Sequence, residues 1–380
     1  MPAKIEVLSS PSSKRATVPG HHAAFDIGLS LFRKQGVMVP LGVPSAKNKP
    51  SNPYFQFKYS IQHQRASAMR FELSDVRAKL FFQMELAPSF LEPGNYLLSW
   101  DGFDASQIFD SQRFTSEPLK ASLIAIGPDG RKVVSIVFSA RYHIVPWLDV
   151  RISQANKWID VTLRTDFRDG GAGAVSRQDV SDTATRSKSF PSLLQLAKEG
   201  ISYYWSRNHN HPAGKNIVLA DGSVYEVLVE TVNTTSQAIK SPKIVYQTNA
   251  RSRRSRNWEL SRILFYNTGL LERAKRWYEK TESQAEADYK QVAAHEIGHE
   301  ILLAYGGHIY SKSHKGSSTV ITQRPLGNYL YPPAGEIDLM LYYATDPQHP
   351  FPVDFYSRNI ASETDARSLL WLAQISYQLV

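Results

Sequence analysis

The chain has 380 residues, 42% of them hydrophobic and 21% charged, with a formal net charge of +9. These values describe an ordinary globular protein that is long enough for two domains. The sequence contains no cysteine, which excludes disulfides, thiolate zinc sites and cysteine nucleophiles. The positive charge favours acidic partners, membranes or cell-wall polymers without selecting among them.

The first 60 residues are rich in Ser, Pro, Lys and Asn, above all between residues 44 and 53. This composition predicts a flexible N-terminal arm over residues 1–60. The N-terminus shows no continuous apolar stretch of the kind found in signal peptides, and no run approaches the roughly 18 apolar residues of a transmembrane helix. If the protein acts outside its cell, we expect it to be secreted without a signal peptide.

Apolar and polar residues alternate with a period of two after residue 60, which predicts short strands. Five of them fall at residues 70–73, 79–86, 96–100, 120–126 and 132–138. Strands at this spacing predict a small β-sandwich of the immunoglobulin-like type over residues 61–145, with a hairpin turn at Pro128-Asp129-Gly130. The segment carries no catalytic constellation, so a spacer or adaptor role is expected.

The remainder of the chain mixes strand and helix signals. They predict strands at 147–152 and 157–164, a helix that Pro191 opens, a hairpin over 216–229, a helix over 270–280 and an amphipathic helix over 362–379. Two further clusters are interpreted as solvated loops. His209 and His211 resemble a metal pair but lie among Asn and Pro residues, and the basic run at 251–256 has no interleaved aromatic side chains.

The most informative stretch is His-Glu-Ile-Gly-His at residues 295–299, within a helix predicted over residues 283–305. His295 and His299 are four residues apart, so both imidazoles project from one helix face and can bind one tetrahedral zinc ion. Glu296 lies about 100° around the helix from the first histidine. From there it can reach a water held on the metal and act as the catalytic general base.

A catalytic zinc site needs a third protein ligand and an open fourth position. Zinc peptidases of the gluzincin class take a Glu from a second helix downstream, and Glu336 fits that pattern on a helix predicted within residues 332–343. Asp338 would point some 200° away on that helix, and His308 or His314 are the alternatives. Four side chains are candidates for stabilising an oxyanion, and the sequence does not rank them: Tyr342, Tyr343, His308 and His314.

Residues 295–318, followed by Gly335-Glu-Ile-Asp-Leu-Met340, resemble the zinc metallopeptidase toxin domains of bacterial type VI secretion. The segments 147–152 and 199–208 are also similar to such effectors. The resemblance covers about residues 146–345 and is most specific around the zinc motif. No spike core precedes this region, so the resemblance implies a cargo effector.

The resemblance implies a fold, a site and a set of partners. The fold would be α+β, with a zincin-like metallopeptidase domain over residues 146–380 and the edge of the 216–229 hairpin aligning the substrate. The two motif histidines and Glu336 would bind Zn²⁺, with Glu296 as the base. The protein would be an antibacterial effector in the target-cell periplasm, cleaving a protein or peptide there. An immunity protein and a secretion-spike partner are implied, and nucleic acid is not.

Two other functions are compatible with the same motif. A zinc amidase or peptidoglycan peptidase would use the same residues, and the positive charge of the chain favours a cell-wall target. A structural or adaptor protein could instead hold zinc only to stabilise its fold. In that case His308 or His314 would close the fourth coordination position.

Overall fold

A computed structural model describes residues 3–9, 24–114, 118–172, 188–248, 252–273, 275–307, 313–319 and 321–380. The fold is mixed α+β, rich in strands and built from several sheets. The first part contains β1 (Ala3–Ser9), β2 (Asp26–Leu31), β3 (Gln35–Met38), β4 (Phe55–Gln62), β5 (Ala68–Asp75), β6 (Leu80–Glu85), β7 (Gly94–Trp100), β8 (Ile108–Asp110), β9 (Leu119–Gly127) and β10 (Gly130–Tyr142). The second part contains β11 (Leu148–Ser153), β12 (Trp158–Thr165), β13 (Arg168–Ala172), α1 (Phe190–Trp205), β14 (Ile217–Val218), β15 (Val224–Asn233), β16 (Lys243–Thr248), β17 (Arg256–Trp258), β18 (Ser261–Arg273), β19 (Arg276–Lys280), α2 (Glu282–Tyr305), β20 (Ile337–Asp338), α3 (Phe355–Arg358), β21 (Asn359–Ile360), α4 (Glu363–Leu372) and β22 (Ile375–Leu379).

Two antiparallel sheets face each other, built from strands of the first part of the chain together with β22 from its second part. Their strand orders are β1-β7-β4-β2 and β3-β22-β10-β9-β5-β6. Aromatic rings of β4 meet rings of the second sheet: the centroid of Phe57 lies 5.1 Å from that of Phe71 and 5.6 Å from that of Phe138. All three side chains are fully buried, so large rings fill the space between the sheets. The five strands predicted for this region correspond to β5, β6, β7, β9 and β10.

Residues 24–60 belong to these facing sheets, because they supply β2, β3 and β4. The burial of β4 alternates residue by residue, as expected of a strand with one buried face. The Pro- and Asn-rich stretch before it is held by Asn52, whose amide donates to the carbonyl oxygens of Val37 and Tyr54 at 3.2 and 2.8 Å. The predicted flexible arm is therefore wrong for residues 24–60, where alternation outweighs composition. Residues 10–23 lie outside the described part.

The second part is built on mixed sheets with helices packed against them. The strand orders are β14-β15-β12-β11-β8 and β13-β16-β18-β17, and β19 pairs with β18. Parallel pairing joins β12 to β15 and β16 to both β13 and β18. Helix α1 packs on β15, and α2 packs on α1 and β18. No helix of the described residues is long and apolar enough to cross a membrane.

The two long helices approach each other closely. A Cβ added at Gly200 of α1 would lie 2.2 Å from the carbonyl oxygen of Lys290 in α2, a distance that no side chain tolerates. Near the end of α1, the indole Nε1 of Trp205 donates to the carbonyl oxygen of Ala294 at 3.1 Å. These contacts fix the position of α2 relative to the sheets.

Helix α2 agrees with its prediction from the sequence. It begins with a capping box, in which Thr281 accepts from the backbone of Gln284 and the Gln284 side chain accepts in return. It ends at Gly306, whose φ of 81° lies in the left-handed region that glycine adopts without strain. The helix after Pro191 is also present as α1, with Ser189 as its N-cap.

Two predicted helices are wrong and a third is shorter than predicted. Residues 270–273 and 276–280 belong to β18 and β19, which pair antiparallel with Leu271 opposite Tyr278 and Glu272 opposite Trp277. Aromatic residues such as Trp277 and Tyr278 favour strands over helices. Within 332–343 only β20 forms, since Gly335 has a φ of 77° and the Asp338 carboxylate accepts from the backbone of Met340 in a turn. Helix α4 starts at its predicted cap, Ser362, but the chain then turns into β22.

Candidate metal centre

Three histidines converge between the middle of α2 and the loop that follows it. One ligand nitrogen from each of His295, His299 and His314 lies within 4.8 Å of the other two, and all three side chains are buried. The ring centroids of His295 and His299 are 4.7 Å apart. Ligands of a tetrahedral ion with bonds of about 2.05 Å are roughly 3.3 Å apart, so a bound ion would draw the three rings slightly inward. The triad could therefore hold a metal ion, and imidazole ligands suit Zn²⁺ and other transition metals.

His295 is oriented by a backbone hydrogen bond. Its Nδ1 lies 2.7 Å from the carbonyl oxygen of Leu339, so Nδ1 carries the proton and Nε2 the lone pair. That Nε2 is buried and has no hydrogen-bond partner among the described residues, which suits a metal ligand better than a packing residue. Burial lowers the pKa of His295 to about 4. The imidazole is thus neutral at pH 7, the form in which it binds metals.

His314 reaches the site from the loop after α2. Its Nδ1 lies 2.9 Å from Ser318 Oγ, and Ser317 Oγ donates to the His314 carbonyl oxygen at 2.6 Å. With Nδ1 bonded on the far side, Nε2 is the nitrogen that can serve as a ligand. The structure thus brings one of the alternative candidates to the third position.

Lys315 anchors the His314 loop to the rest of the protein. Its Nζ donates to Asp365 Oδ2 at 3.0 Å and to Ser362 Oγ at 3.1 Å, and it also bonds Asp338. Burial acts to lower the pKa of Lys315, but the two carboxylates outweigh it and raise that pKa above its usual value. The lysine therefore stays charged, and the start of α4 holds the loop that carries the third histidine.

Glu336 is not brought to the histidines. Its carboxylate oxygens accept from both terminal nitrogens of Arg207, at 2.8 and 2.6 Å. Arg207 is 4% exposed and also donates to the carbonyl oxygens of Asn216 and Ala361. Because both carboxylate oxygens accept from the buried arginine, Glu336 forms a strong ion pair there and does not reach the histidines. Glu336, predicted as the third ligand, is therefore not part of the group that could hold a metal ion, and His314 is. The helix expected to carry Glu336 does not form. Arg207 has no signal in the sequence that would have revealed the pairing.

Glu296 lies beside the triad on α2 and is 5% exposed. Burial raises the pKa of its carboxyl group to about 8, against the opposing charges of Arg254 and Arg256. Its backbone carbonyl accepts from Asn257 Nδ2 at 3.0 Å, which ties this turn of the helix to β17. A metal ion held by His295 would add a nearby positive charge and favour the ionised carboxylate. Glu296 and His295 line the same cavity, so a buried carboxyl group and a candidate ligand adjoin one space.

A cavity of about 640 Å³ opens beside the histidines. His295 and Glu296 line it from α2, and residues 252–255 of the loop before β17 line it as well. The segment 252–255 follows the edge of β18, since Phe265 N donates to Ser255 Oγ at 2.9 Å. Residues 252–255 form a loop, as the sequence predicts, and Arg254 is exposed. This loop also lines the cavity, and Arg256 is the first residue of β17. The described residues of the 216–229 hairpin, which was expected to align the substrate, do not line this cavity.

Tyr342 and Arg254 form the part of the cavity wall beside His314. The Tyr342 ring stacks on His314 with centroids 3.6 Å apart, and Arg254 donates to its hydroxyl group. Burial raises the pKa of Tyr342, so the phenol stays protonated. Tyr343, another oxyanion candidate, is occupied elsewhere: its hydroxyl accepts from Asp338 N at 3.0 Å. Arg254 was missed by the sequence reasoning, although the basic run that contains it was recognised.

Gly298 provides the close packing behind the metal ligands. A Cβ at this position would lie 2.4 Å from Met340 Sδ and 2.9 Å from Trp205 Cζ2. A glycine in mid-helix weakens the helix by about 1 kcal/mol relative to alanine. The missing side chain therefore lets α2 pack directly against α1 and the segment after β20, although it weakens the helix itself.

The other histidines considered as ligands are not part of the triad. His209 Nδ1 pairs with Glu226 at 3.0 Å on the surface. His211 is buried rather than solvated, and its Nδ1 accepts from the backbone of Ala213 and Gly214 at 3.2 and 3.0 Å. His308 lies outside the described residues.

Comparisons with known proteins do not identify this chain. No family model matches it, and no curated protein matches it. Similar solved structures include β-glucuronidases from Ruminococcus gnavus in complex with uronic deoxynojirimycin (9% identity, TM-score 0.15, 47% of this chain and 25% of that chain) and from Parabacteroides merdae (9% identity, TM-score 0.18, 71% and 33%). The Bifidobacterium dentium enzyme complexed with coumarin-3-O-glucuronide is similar at 8% identity and a TM-score of 0.17, over 54% of this chain and 30% of that one. The chain thus spans a third or less of these proteins, and TM-scores this low carry no argument, so function is inferred from the site alone.

Proposed function

We propose that this protein is a zinc-dependent peptidase that acts as an antibacterial effector. The observation that carries the proposal is the buried triad His295, His299 and His314, with Glu296 beside it on the same helix and a 640 Å³ cavity in front. Three neutral imidazoles suit Zn²⁺ and leave its fourth position for water. A buried carboxylate next to such a triad has little structural reason to be there, since an unpaired buried acid is costly.

Each residue has a role in this proposal. When bound, zinc would make a water molecule more acidic and polarise the scissile carbonyl group. Glu296 would accept the proton of the attacking water and pass it to the leaving amine. The Tyr342 hydroxyl, oriented by Arg254, would donate a hydrogen bond to the oxygen on which negative charge develops. The loop 252–255, which runs beside β18 and lines the cavity, would contact the bound peptide in place of a regular edge strand.

Metal analysis of purified variants tests the ligand assignment. His295→Ala and His314→Ala should each lower zinc content from about one equivalent to less than about half, because three ligands hold the ion. Glu336→Gln is the matched control: it should keep its zinc while losing stability, because Glu336 is paired with Arg207. Zinc retained by His314→Ala and lost by Glu336→Gln would reverse the assignment.

Glu296→Gln separates catalysis from a structural metal site. The substitution removes the base and no ligand, so zinc should stay bound while activity falls by roughly 10²–10⁴-fold. If zinc only stabilises the fold, a fourth protein ligand would close the site, and His308 is the histidine to test. Zinc released by His308→Ala, together with unchanged biological activity of Glu296→Gln, would favour the structural function.

The compartment and the biological role follow from the resemblance to type VI effectors. The two facing sheets would form the immunoglobulin-like β-sandwich module, a spacer or adaptor for a secretion-spike partner. We expect toxicity when the protein is expressed in a susceptible bacterium with a periplasmic signal, and none without the signal or with Glu296→Gln. An immunity protein should abolish that toxicity. Toxicity without the signal would contradict a periplasmic target.

A peptidoglycan amidase or peptidase is the second candidate, favoured by the net charge of +9. Both activities would use the same triad and the same base, so the substrate alone separates them. Purified sacculi should release muropeptides with the wild-type protein but not with Glu296→Gln if this candidate is correct. Cleavage of polypeptides without muropeptide release would favour the protein substrate.

A further inference from the structure

The walls of the cavity beside the triad carry more positive than negative charge. The described lining residues include four basic side chains and two carboxylates: Arg253, Arg254, Arg273, Lys280, Asp288 and Glu296. Lys280 and Asp288 neutralise each other, because their charged atoms are 2.6 Å apart. Glu296 is assigned to the reaction at the metal. The surplus charge therefore comes from arginines on one wall of the cavity.

Arg254 is the arginine closest to the reacting groups. It is exposed and lines the cavity, and its guanidinium carbon lies 5.3 Å from the centroid of the Tyr342 ring, which stacks on His314. A guanidinium group has five N–H donors in a planar fork. The bond to the Tyr342 hydroxyl uses one donor, so others of this fork can serve a ligand in the cavity.

Arg273 extends the basic wall away from the metal. It is the last residue of β18, is exposed, and lines the same cavity. Arg253 lies between Arg254 and the point where Ser252 N donates to the Glu272 carbonyl oxygen at 2.8 Å. The three arginines thus follow one sheet edge. Arginine forks match carboxylate oxygens bidentately, and such charge-assisted bonds are roughly twice as strong as neutral ones.

We propose that the cavity selects peptides that carry a carboxylate next to the bond to be cleaved, with Arg254 binding that carboxylate and Arg273 reinforcing the preference. The inference rests on the proposed peptidase function and adds a substrate class to it. The carboxylate can belong to an Asp or Glu side chain or to the C-terminus of the substrate. In the first case cleavage is internal, and in the second it removes only the last residues.

A peptide-mixture digest tests the proposal directly. A proteome-derived peptide mixture is incubated with zinc-loaded protein, and the residues that flank each new terminus are identified by mass spectrometry. The wild type should cut bonds flanked by Asp or Glu about ten-fold more often than expected from their abundance, the size of a charged hydrogen bond gained or lost. Amidation of peptide C-termini separates the two sources: it abolishes cleavage only if the terminal carboxylate is the one recognised.

Variants of the arginines test whether these side chains cause the preference for acidic peptides. Arg254→Gln should lower overall cleavage, because Arg254 also orients Tyr342, and should bring the acidic preference among the remaining cleavages close to background. Arg273→Glu, which leaves the bond of Arg254 to Tyr342 intact, should shift the preference toward Lys and Arg. Arg131→Gln is the matched control, because Arg131 is exposed on β10, outside the cavity lining. Zinc content and thermal unfolding show that each variant is folded, and Arg254→Lys provides a milder change at the same position. For the wild type, raising the salt from about 50 to about 500 mM should weaken the preference, because exposed charges are screened.

The outcomes separate this inference from the proposed function. Acidic enrichment that Arg254→Gln abolishes and Arg131→Gln preserves supports the inference. Efficient cleavage without acidic enrichment, or enrichment that survives both Arg254→Gln and Arg273→Glu, overturns it and leaves the peptidase function standing. Absence of any cleavage beyond that of Glu296→Gln overturns the peptidase function and this inference with it.

Discussion

Replacing Lys315 with methionine should both destabilise the protein and weaken its hold on zinc. Lys315 follows His314 and lies between two carboxylates that belong to separate parts of the chain. The side chain of Asp365 is 3% exposed and that of Asp338 is 14% exposed, against 25% for the lysine. Methionine keeps the length of the side chain and removes only its charge. The carboxylates would then remain buried without their counter-ion.

The size of the effect follows from that burial. Removing one partner of a buried ion pair costs about 3–5 kcal/mol, and the partial exposure of Lys315 places the expected loss near the lower end, about 3 kcal/mol. In a chain of this size that loss corresponds to a decrease in Tm of about 5 °C. Burial already raises the pKa of Asp365 to about 6, above its unfolded value. The burial of Asp365 therefore disfavours folding increasingly as the pH rises from about 4 to about 6, where its carboxyl group ionises. The stability lost in Lys315→Met should accordingly be larger at pH 8 than at pH 5.

Thermal unfolding and zinc titration of three variants provide the test. Lys315→Met should show the full loss, and Lys315→Met combined with Asp365→Asn should recover part of it, because one uncompensated charge is removed. Lys4→Met is the control: Lys4 pairs with Glu6 at 2.9 Å but is half exposed, so it should change stability by less than about 1 kcal/mol. If Lys315→Met unfolds within about 1 °C of the wild type and binds zinc equally well, the loop does not depend on this ion pair.

Three further predictions concern other parts of the structure. Gly298→Ala should lower stability by about 1–3 kcal/mol through overpacking against Met340, and a rise in Tm would contradict the close contact. Arg207→Met should lower Tm by several degrees while zinc content stays at the wild-type level, and a loss of zinc would show that the pair with Glu336 supports the metal site. Asp101→Asn should stabilise the protein by an amount that grows from about pH 4 to pH 7, because burial raises the pKa of Asp101 to about 7 and an ionised buried carboxylate disfavours folding. Unfolding curves at pH 4 and pH 8 check this, and an equal gain at both values would exclude titration of Asp101 as the cause.

The metal helix could be predicted from sequence because all of its determinants are local. The capping box at Thr281, the two histidines at helical spacing and the stop at Gly306 lie within one continuous segment. Each acts on neighbouring residues, so no knowledge of the tertiary structure is needed.

The sequence could name His314 only as an alternative, because the position of this histidine depends on contacts that are distant in sequence. His314 is directed to the site by Lys315, whose partner Asp365 follows 50 residues later. Glu336 matches a known spacing, but its carboxylate is taken by Arg207, 129 residues earlier. A spacing rule contains neither interaction, and hydrogen bonds of this kind outweigh a weak local preference for helix.

The strands of the first 60 residues were obscured for a different reason. Pro and Asn are common in loops, and the segment that precedes β4 contains many of them. Here the Asn52 side chain bridges two backbone carbonyl groups. A residue type that is common in loops thus holds this particular loop in a fixed conformation. Composition alone cannot distinguish an ordered loop from a flexible one.

The position of β22 determines when the facing sheets can be completed. This strand lies between β3 and β10, although it follows β10 by more than 230 residues. During synthesis, the ribosome must therefore translate the entire region that carries the histidine triad before these two strands gain their common neighbour. A fragment that stops after β10 would expose two strand edges where the intact protein has a paired interior, and such edges recruit other chains. The facing sheets and the metal centre are consequently expected to mature together, late in folding, as pairings between distant segments form slowly.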